Sequence, residues 1–428
     1  MLTPEENEML TRTSRNTPMG ELFRRFWAPV LLTEEVSMPD SVPTKLKVMG
    51  QDLVAFRDSR GKLGLLDARC PHRGASLALG YNHAGRIRCP VCSWVFDTEG
   101  NCVELPMEPE ETGFRKSVRV PSYPTVERAG VIWAYLGPQT SIPKIPEFEW
   151  LGLPENHCYK SKYLVECNYA QAVEAGIDAS RVSFSTDTYD AGRPDLHPIN
   201  QAPWDIYGAN ESTQRIYAKS SNFGVIIGVR TEAGDKAFAW RSTHWLFPFY
   251  TTTLTESGGL RGGIAWVPSD DETTMALAVT YHPSRPLTAK ELEDCHNGKG
   301  LHPEKEPGTY YRKSNRSNNY RIDGSPAHAN TLASVRSIQE RALICQESMG
   351  IIVDRTWEEL GPNDVPILIV RDRLLKSAID LLEGTEPTAA NEGEEYRISA
   401  QSIILERTAG FNLDTMSQTE LPENTEDA

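Results

Sequence analysis

The sequence predicts an α+β chain: an all-β domain followed by a domain in which an antiparallel sheet wraps about one long helix. Between residues 46 and 140, short apolar runs such as LKVMGQDLVAF and GVIWAYLG alternate with Gly and Asp turns, the pattern of short strands joined by tight connections. From Gln214 to His282 strand-like runs recur, RIYAKSS, FGVIIGVR, KAFAWRSTHWLF, RGGIAWVP and TMALAVTYH. Successive strands with short turns pair antiparallel. Finally, Ile367, Val370, Leu374, Ala378 and Leu381 recur at helical spacing, which predicts a long closing helix with one apolar face. A chain of 428 residues can bury a sizeable core and is long enough for two or more domains.

Taken in order, residues 1–45 open with a short helix in which Thr17 caps, Pro18 takes the first turn and Leu22, Phe23, Phe26 and Trp27 form an apolar face. Residues 46–140 form the β domain. The Pro-containing stretch PQTSIPKIPEFEW reads as a linker. The second domain, residues 150–384, starts with strand KYLVEC and a helix that carries Asp178 and Arg181. Residues 385–428 form an acidic tail, expected to be mobile at its extreme end and relieved by one apolar stretch, SIILERTAGFNL. There is no internal repeat.

Composition excludes several classes. A net charge of −15 and a pI near 5.2 argue against nucleic acid or an anionic membrane as partner. No stretch is apolar enough to span a bilayer, and the start MLTPEENEML is acidic, unlike a signal peptide. Eight scattered cysteines make no small secreted disulfide framework, so a reducing cytoplasm is the expected compartment.

The chemistry lies in two short motifs, Cys70-Pro-His72 and Cys89-Pro-Val-Cys92. Paired loops with soft ligands two or three residues apart can close over one metal centre. Three cysteines and one histidine suit an iron–sulfur cluster or a closed tetrahedral zinc site, and unmetallated side chains filling a loop core are the third reading. His83 lies between the motifs in Asn-His-Ala-Gly, a sequence that reads as a solvated turn. Cys102, Cys158, Cys167, Cys295 and Cys345 have no ligand spacing and read as ordinary thiols. Trp240, Trp245 and Trp266 suit a sheet core at least as well as a substrate pocket.

The stretches GLLDARCPHRGASLALG and IRCPVCSWVFDTEGNCVELP resemble the Rieske domain of ring-hydroxylating oxygenase large (alpha) subunits, in the phthalate-dioxygenase-like group where one chain carries two metal centres. That family's second loop is Cys-x-x-His, so Cys70, His72 and Cys89 match and Cys92 stands where the second histidine belongs. An added thiolate makes a cluster more negative and lowers its reduction potential. The resemblance continues in ECNYAQAVEAGIDASRVSFSTD, where the family places a bridging Asp and two iron-binding histidines. Asp178 matches the acid. Arg181 and Thr186 occupy the histidine positions, and SIQERALICQESMGIIVDRTWEELG puts Glu340 at the third, carboxylate ligand. Arginine cannot give up its proton to coordinate iron, and a neutral hydroxyl is a poor replacement for imidazole. No other histidine falls between His157 and His197. Neighbouring positions have changed too: the family's Tyr-His-Gly-Trp-Lys-Phe is Val-Cys-Ser-Trp-Val-Phe here, and Ser185 replaces a leucine.

The resemblance implies a helix-grip second domain and a trimer or stacked hexamer. In the family, electrons pass from the Rieske cluster through the bridging acid to a mononuclear iron. Here that iron is expected to be absent, with Arg181 paired to Asp178, Glu340 or both. Three functions follow: a non-catalytic or accessory subunit assembled with an active Rieske oxygenase alpha subunit and served by a reductase or ferredoxin; an active mono- or dioxygenase with an atypical iron site, acting on a small aromatic or amine substrate; or a small-molecule-binding protein using the vacated cavity. The first is favoured.

Overall fold

In the computed structural model of the chain, which describes residues 1–178, 215–254, 259–322, 332, 335 and 337–408, two short helices open the fold, α1 (Pro4–Thr11) and α2 (Pro18–Phe23). Helix α1 was not expected. Its signal is the capping box, in which Thr3 accepts from the Glu6 N–H at 3.1 Å and Glu6 accepts from the Thr3 N–H at 2.7 Å. Thr17 caps α2 as expected, accepting from Gly20 at 3.2 Å with Pro18 in the first turn. The helix is shorter than the sequence suggests. It ends at Phe23, where the buried Arg24 guanidinium donates to the carbonyls of Gly20, Thr13 and Met49, and Trp27 already begins a strand.

Three small antiparallel sheets follow. Strand β1 (Trp27–Leu32) later pairs with β10 (Val131–Tyr135), which pairs with β9 (Thr125–Arg128). Strands β2 (Thr44–Val48), β3 (Gln51–Arg57) and β4 (Leu63–Asp67) form a meander. Strands β5 (Tyr81–His83), β6 (Arg86–Arg88), β7 (Val95–Phe96) and β8 (Cys102–Glu104) form a four-stranded sheet; the Cys89–Cys92 loop joins β6 to β7, and the Cys70–His72 loop leads from β4 to β5. Val54, Phe56, Leu66, Leu77, Ile87 and Phe96 are buried in a core shared with Cys70 and Cys89.

The second half is built on an eight-stranded antiparallel sheet. Its path runs β11 (Cys158–Val165), β17 (Thr274–Tyr281), β16 (Arg261–Pro268), β15 (Tyr250–Leu254), β14 (Ala237–Leu246), β13 (Gly224–Glu232) and β12 (Arg215–Ser221). The apolar stretch near the C-terminus supplies β18 (Ser402–Glu406), which pairs with β14. Ala389, Tyr396, Ile398 and Ala400, in the segment read as an acidic tail, are also buried. Four more helices complete the described chain: α3 (Tyr169–Ile177), α4 (Ala289–His296), α5 (Ile338–Ser348) and α6 (Val365–Leu382).

Helix α6 buries Val370, Leu374, Leu375 and Ala378, the face that the helical spacing predicts, and packs on β12 and β13. Arg373 fixes that contact by donating to the carbonyls of Ser221, Asn222 and Gly224 in the hairpin turn. A sheet gripping a long helix is the architecture the resemblance implies. Trp240, Trp245 and Trp266 are all buried, in keeping with a core role. Among the described residues, no helix is long and apolar enough to cross a membrane.

Candidate metal centre

Both cysteine motifs sit on loops that close on their own first cysteine. Cys70 donates its N–H to Ala75 O at 2.8 Å and accepts at its carbonyl from Gly74 at 2.8 Å; Gly74 takes φ +77°, where a side chain would be strained. In the second loop Cys89 donates to Trp94 O at 2.8 Å and accepts from Ser93 at 3.1 Å, with Ser93 at φ +58°. Two turns with matching closures aim their thiols at one point. The ligand atoms of Cys70, Cys89 and Cys92 all lie within 4.8 Å of one another.

Cys70 and Cys89 are buried and Cys92 is half-buried. Cys70 Sγ and Cys92 Sγ are 3.6 Å apart, close to the edge of roughly 3.8 Å that two thiolates about 2.3 Å from one tetrahedral metal would span. His72 is exposed and outside this group of three. Its ring lies against Trp94, centroids 4.8 Å apart, and Trp94 is backed by Phe114 at 6.0 Å. Arg88 braces the second loop, donating to Ser93 O at 3.1 Å and to Glu104 at 3.0 Å.

Burial pushes the Cys70 thiol up to about 12 and raises Cys92 as well. Cys89 differs. Burial works against its ionisation, yet the backbone N–H groups of Cys92 and Val91 and the neighbouring thiols hold it below the ordinary value. The three thiols lie within 4.8 Å of one another, so a cation placed among them would favour ionisation of all three. The donors present therefore fit a metal centre.

The second set of predicted positions is only partly visible. Asp178 is the C-cap of α3, half-buried, with its N–H bonded to Glu174 O at 2.9 Å. Glu340 lies in the first turn of α5, which Ser337 caps at 3.1 Å. The two helices pack together, and the Asp178 charge is felt at Cys345 on α5, whose thiol is raised chiefly by burial. Burial also raises the Glu340 carboxyl, only partly opposed by Arg312 and a bond from Ser314. Arg181 and Thr186, and with them the expected pairing of Arg181, lie outside the described residues. For His83 the structure gives the backbone alone, at the end of β5 before a turn.

Sequence reading missed the ion cluster that anchors α3. Glu174 accepts from Arg355 at 3.2 and 3.3 Å and from Arg371 at 2.8 Å, and Arg371 also bonds Glu358. Arg355 and Arg371 are buried. Burial opposes the Glu174 charge, but the two guanidinium groups overcome it and hold the carboxyl below its usual range. The available signal was Glu174 and Arg371 on otherwise apolar helix faces; Arg355 lies in a loop, where no periodicity marks it.

An all-β domain with paired cysteine loops, joined to a sheet that grips a long helix, defines a Rieske-type oxygenase subunit. A family model described as the Rieske [2Fe-2S] domain matches residues 26–124, and one described as LigXa C-terminal domain like matches residues 134–426. The chain belongs to the Rieske oxygenase alpha-subunit family. It is 32% identical over 92% of its length, and 93% of the relative's, to the 3-chlorobenzoate-3,4-dioxygenase oxygenase subunit of Comamonas testosteroni. It is 31% identical over 92% of its length, and 90% of the relative's, to the phthalate 4,5-dioxygenase oxygenase subunit of Pseudomonas putida. Among solved structures, dicamba monooxygenase bound to dicamba superposes with a TM-score of 0.55 at 16% identity, over 84% of this chain and 98% of that one.

Proposed function

We propose that this chain is a non-catalytic alpha-type subunit that carries a metal centre in its Rieske domain and assembles with an active Rieske oxygenase alpha subunit, in a trimer or stacked hexamer. The observation that carries this is the pair Arg181 and Thr186 at the positions where the family binds its mononuclear iron through two imidazoles. A guanidinium brings a fixed positive charge where a cation should sit.

At the first centre, Cys70, Cys89, Cys92 and His72 would hold the bound group. A [2Fe-2S] cluster would supply one-electron transfer there, and zinc would serve only as a structural clip. Cys92 adds charge to a cluster, so a reductase or ferredoxin matched to two-histidine relatives would deliver electrons to it less readily. Eight cysteines without a disulfide suit a reducing cytoplasm.

Co-expression with an active alpha paralogue tests the proposal. The expected result is a mixed oligomer with turnover that depends on the paralogue and persists when Asp178→Asn is placed in this chain. Oxygen-dependent product formation by this chain alone, with reductase and added ferrous iron, would establish the active-oxygenase reading instead. A mixed oligomer failing to form, with a small-molecule ligand bound by the isolated chain, would favour a binding protein.

A further inference from the structure

Helix α6 has two apolar faces, and the fold uses one of them. Pro366, Val370, Leu374 and Ala378 are buried on the side that packs against β12, β13 and α2. On the opposite side Val365, Leu368, Ile379 and Leu382 are 41% to 64% exposed. A single apolar side chain in water needs no explanation. Four along one helix form a patch, and such patches mark contact sites.

The spacing of the patch identifies what covers it. Val365, Asp372 and Ile379 lie seven residues apart, as do Leu368, Leu375 and Leu382. The two series interleave by three and four, which is the seam along which one helix packs on another in a coiled coil. Leu375 sits where the two faces of α6 meet and is buried. The seam also complements itself when reversed. Turned end for end about its midpoint between Arg373 and Leu374, Val365 comes level with Leu382, Leu368 with Ile379, and Asp372 with Leu375. An antiparallel copy of the same helix therefore meets apolar residues at both ends. At the centre, Asp372 and Lys376 are exposed, and in this arrangement Asp372 of each copy lies within one residue's rise, about 1.5 Å along the axis, of Lys376 of the other. Lys376 bonds Asp380 of its own helix at 2.8 Å, a pair open to solvent, and its ammonium keeps donors for a second carboxylate. Parallel pairing would set Asp372 against Asp372, so the charge at the seam selects the antiparallel form.

We propose that α6 is a self-association helix: two copies of this chain pair their α6 helices antiparallel about a two-fold axis, with Val365 and Leu368 of one copy on Leu382 and Ile379 of the other and an Asp372–Lys376 pair on each side of the axis. Such a contact uses the same patch on both copies and closes on itself. The helix has 18 residues and is about 27 Å long, so the pair covers less than the roughly 1,600 Å² of a standard interface. The contact therefore exchanges, and it doubles whatever assembly the chain forms through other surfaces. It depends on neither metal centre and on no paralogue.

Analytical ultracentrifugation of the full chain in two charge-reversed forms tests the contact. Asp372→Lys leaves only cations at the centre of the seam and Lys376→Glu only anions, so each variant alone should sediment at half the mass of the unaltered chain at the same concentration. Mixed in equal amounts, the two variants again face opposite charges on both sides of the axis, and the mass should return to that of the unaltered chain. Leu368→Ser combined with Leu382→Ser should also halve the mass, with no recovery on mixing with either charge variant. All four positions are exposed, so the circular dichroism spectrum should be the same for every form. An unaltered chain with the same mass as its variants would overturn the proposal, as would a mixture of the two charge variants that stays at half mass.

Discussion

Cys92 is the residue on which the chemistry of the first centre turns. It joins Cys70 and Cys89 in one group of thiols, while His72 stays exposed at the rim against Trp94. Replacing it by histidine would change three thiolates and one imidazole into two of each. Cys92→His is expected to raise the reduction potential of a reconstituted iron–sulfur cluster, read by voltammetry, because one negative charge leaves the ligand set; a potential equal to or below the parent's would contradict this. Cysteine spacing was legible in the sequence because two tight loops need only local residues. The buried histidines were not. His244 and His302 are held neutral on strand and loop by burial, which pushes each down to about 3, and nothing in their flanking sequence announces it. His302 is bonded on both nitrogens, to Ser161 at 2.7 Å and Thr280 at 2.9 Å. The unfolded chain protonates these rings near pH 6.5 and the folded chain does not, so the unfolded state binds more protons below that pH. Stability is then fully present above about pH 6.5 and falls as pH drops toward 3, by up to about 1.4 kcal/mol per pH unit for each ring. Urea unfolding at pH 7 and pH 5 should show the loss, and His302→Asn should flatten it; an unchanged pH slope in that variant would count against the account.

At the scale of elements, α3 is the piece that the ion cluster places. Glu174 meets Arg355 from the loop after α5 and Arg371 from α6, so one carboxylate ties three segments of the chain together one turn before Asp178. Breaking a buried pair leaves a charge uncompensated, at a cost of roughly 3–5 kcal/mol. Arg355→Met is therefore expected to lower stability by about that amount in denaturant unfolding, and adding Glu174→Gln to recover part of it. A loss under about 1 kcal/mol would show that the cluster behaves like a surface pair. The long helix α6 was readable from its apolar spacing, as were the strands of both domains. Helix α1 is hard to read from sequence despite its capping box, because its residues are mostly polar and only Leu10 and Thr11 are buried. The end of α2 is not legible in sequence because Phe26 and Trp27 continue its apolar pattern, while pairing of Trp27 with Tyr135 across β1 and β10 pulls the chain into a strand.

For the whole molecule, the order of domains follows directly from the order of periodicities, two-residue alternation first and helical spacing last. What lies between them was harder to read. The stretch from Pro138 to Trp150 has linker composition, yet its Phe148 and Trp150 are buried against Trp133 and Tyr250, and its Glu149 pairs with Arg261 of β16. Such contacts join residues far apart in sequence, so local pattern cannot reveal them. The same holds for Lys162, buried on β11 and bonded to Val30 O at 2.9 Å and to Glu35 at 3.1 Å, which locks the N-terminal segment to the large sheet. Lys162→Met should separate the thermal unfolding of the two halves, seen as two calorimetric transitions in place of one; a single unshifted transition would argue that the pair is dispensable. The central claim concerns Arg181 and Thr186, and metal stoichiometry tests it most directly. Chain purified without oxygen and supplied with iron and sulfide should hold metal only at the site of Cys70, Cys89 and Cys92, with Cys92→Ser reducing it, and should take up no further equivalent of ferrous iron until Arg181→His and Thr186→His are introduced together. One additional equivalent of tightly bound ferrous iron in the unaltered chain would contradict the claim.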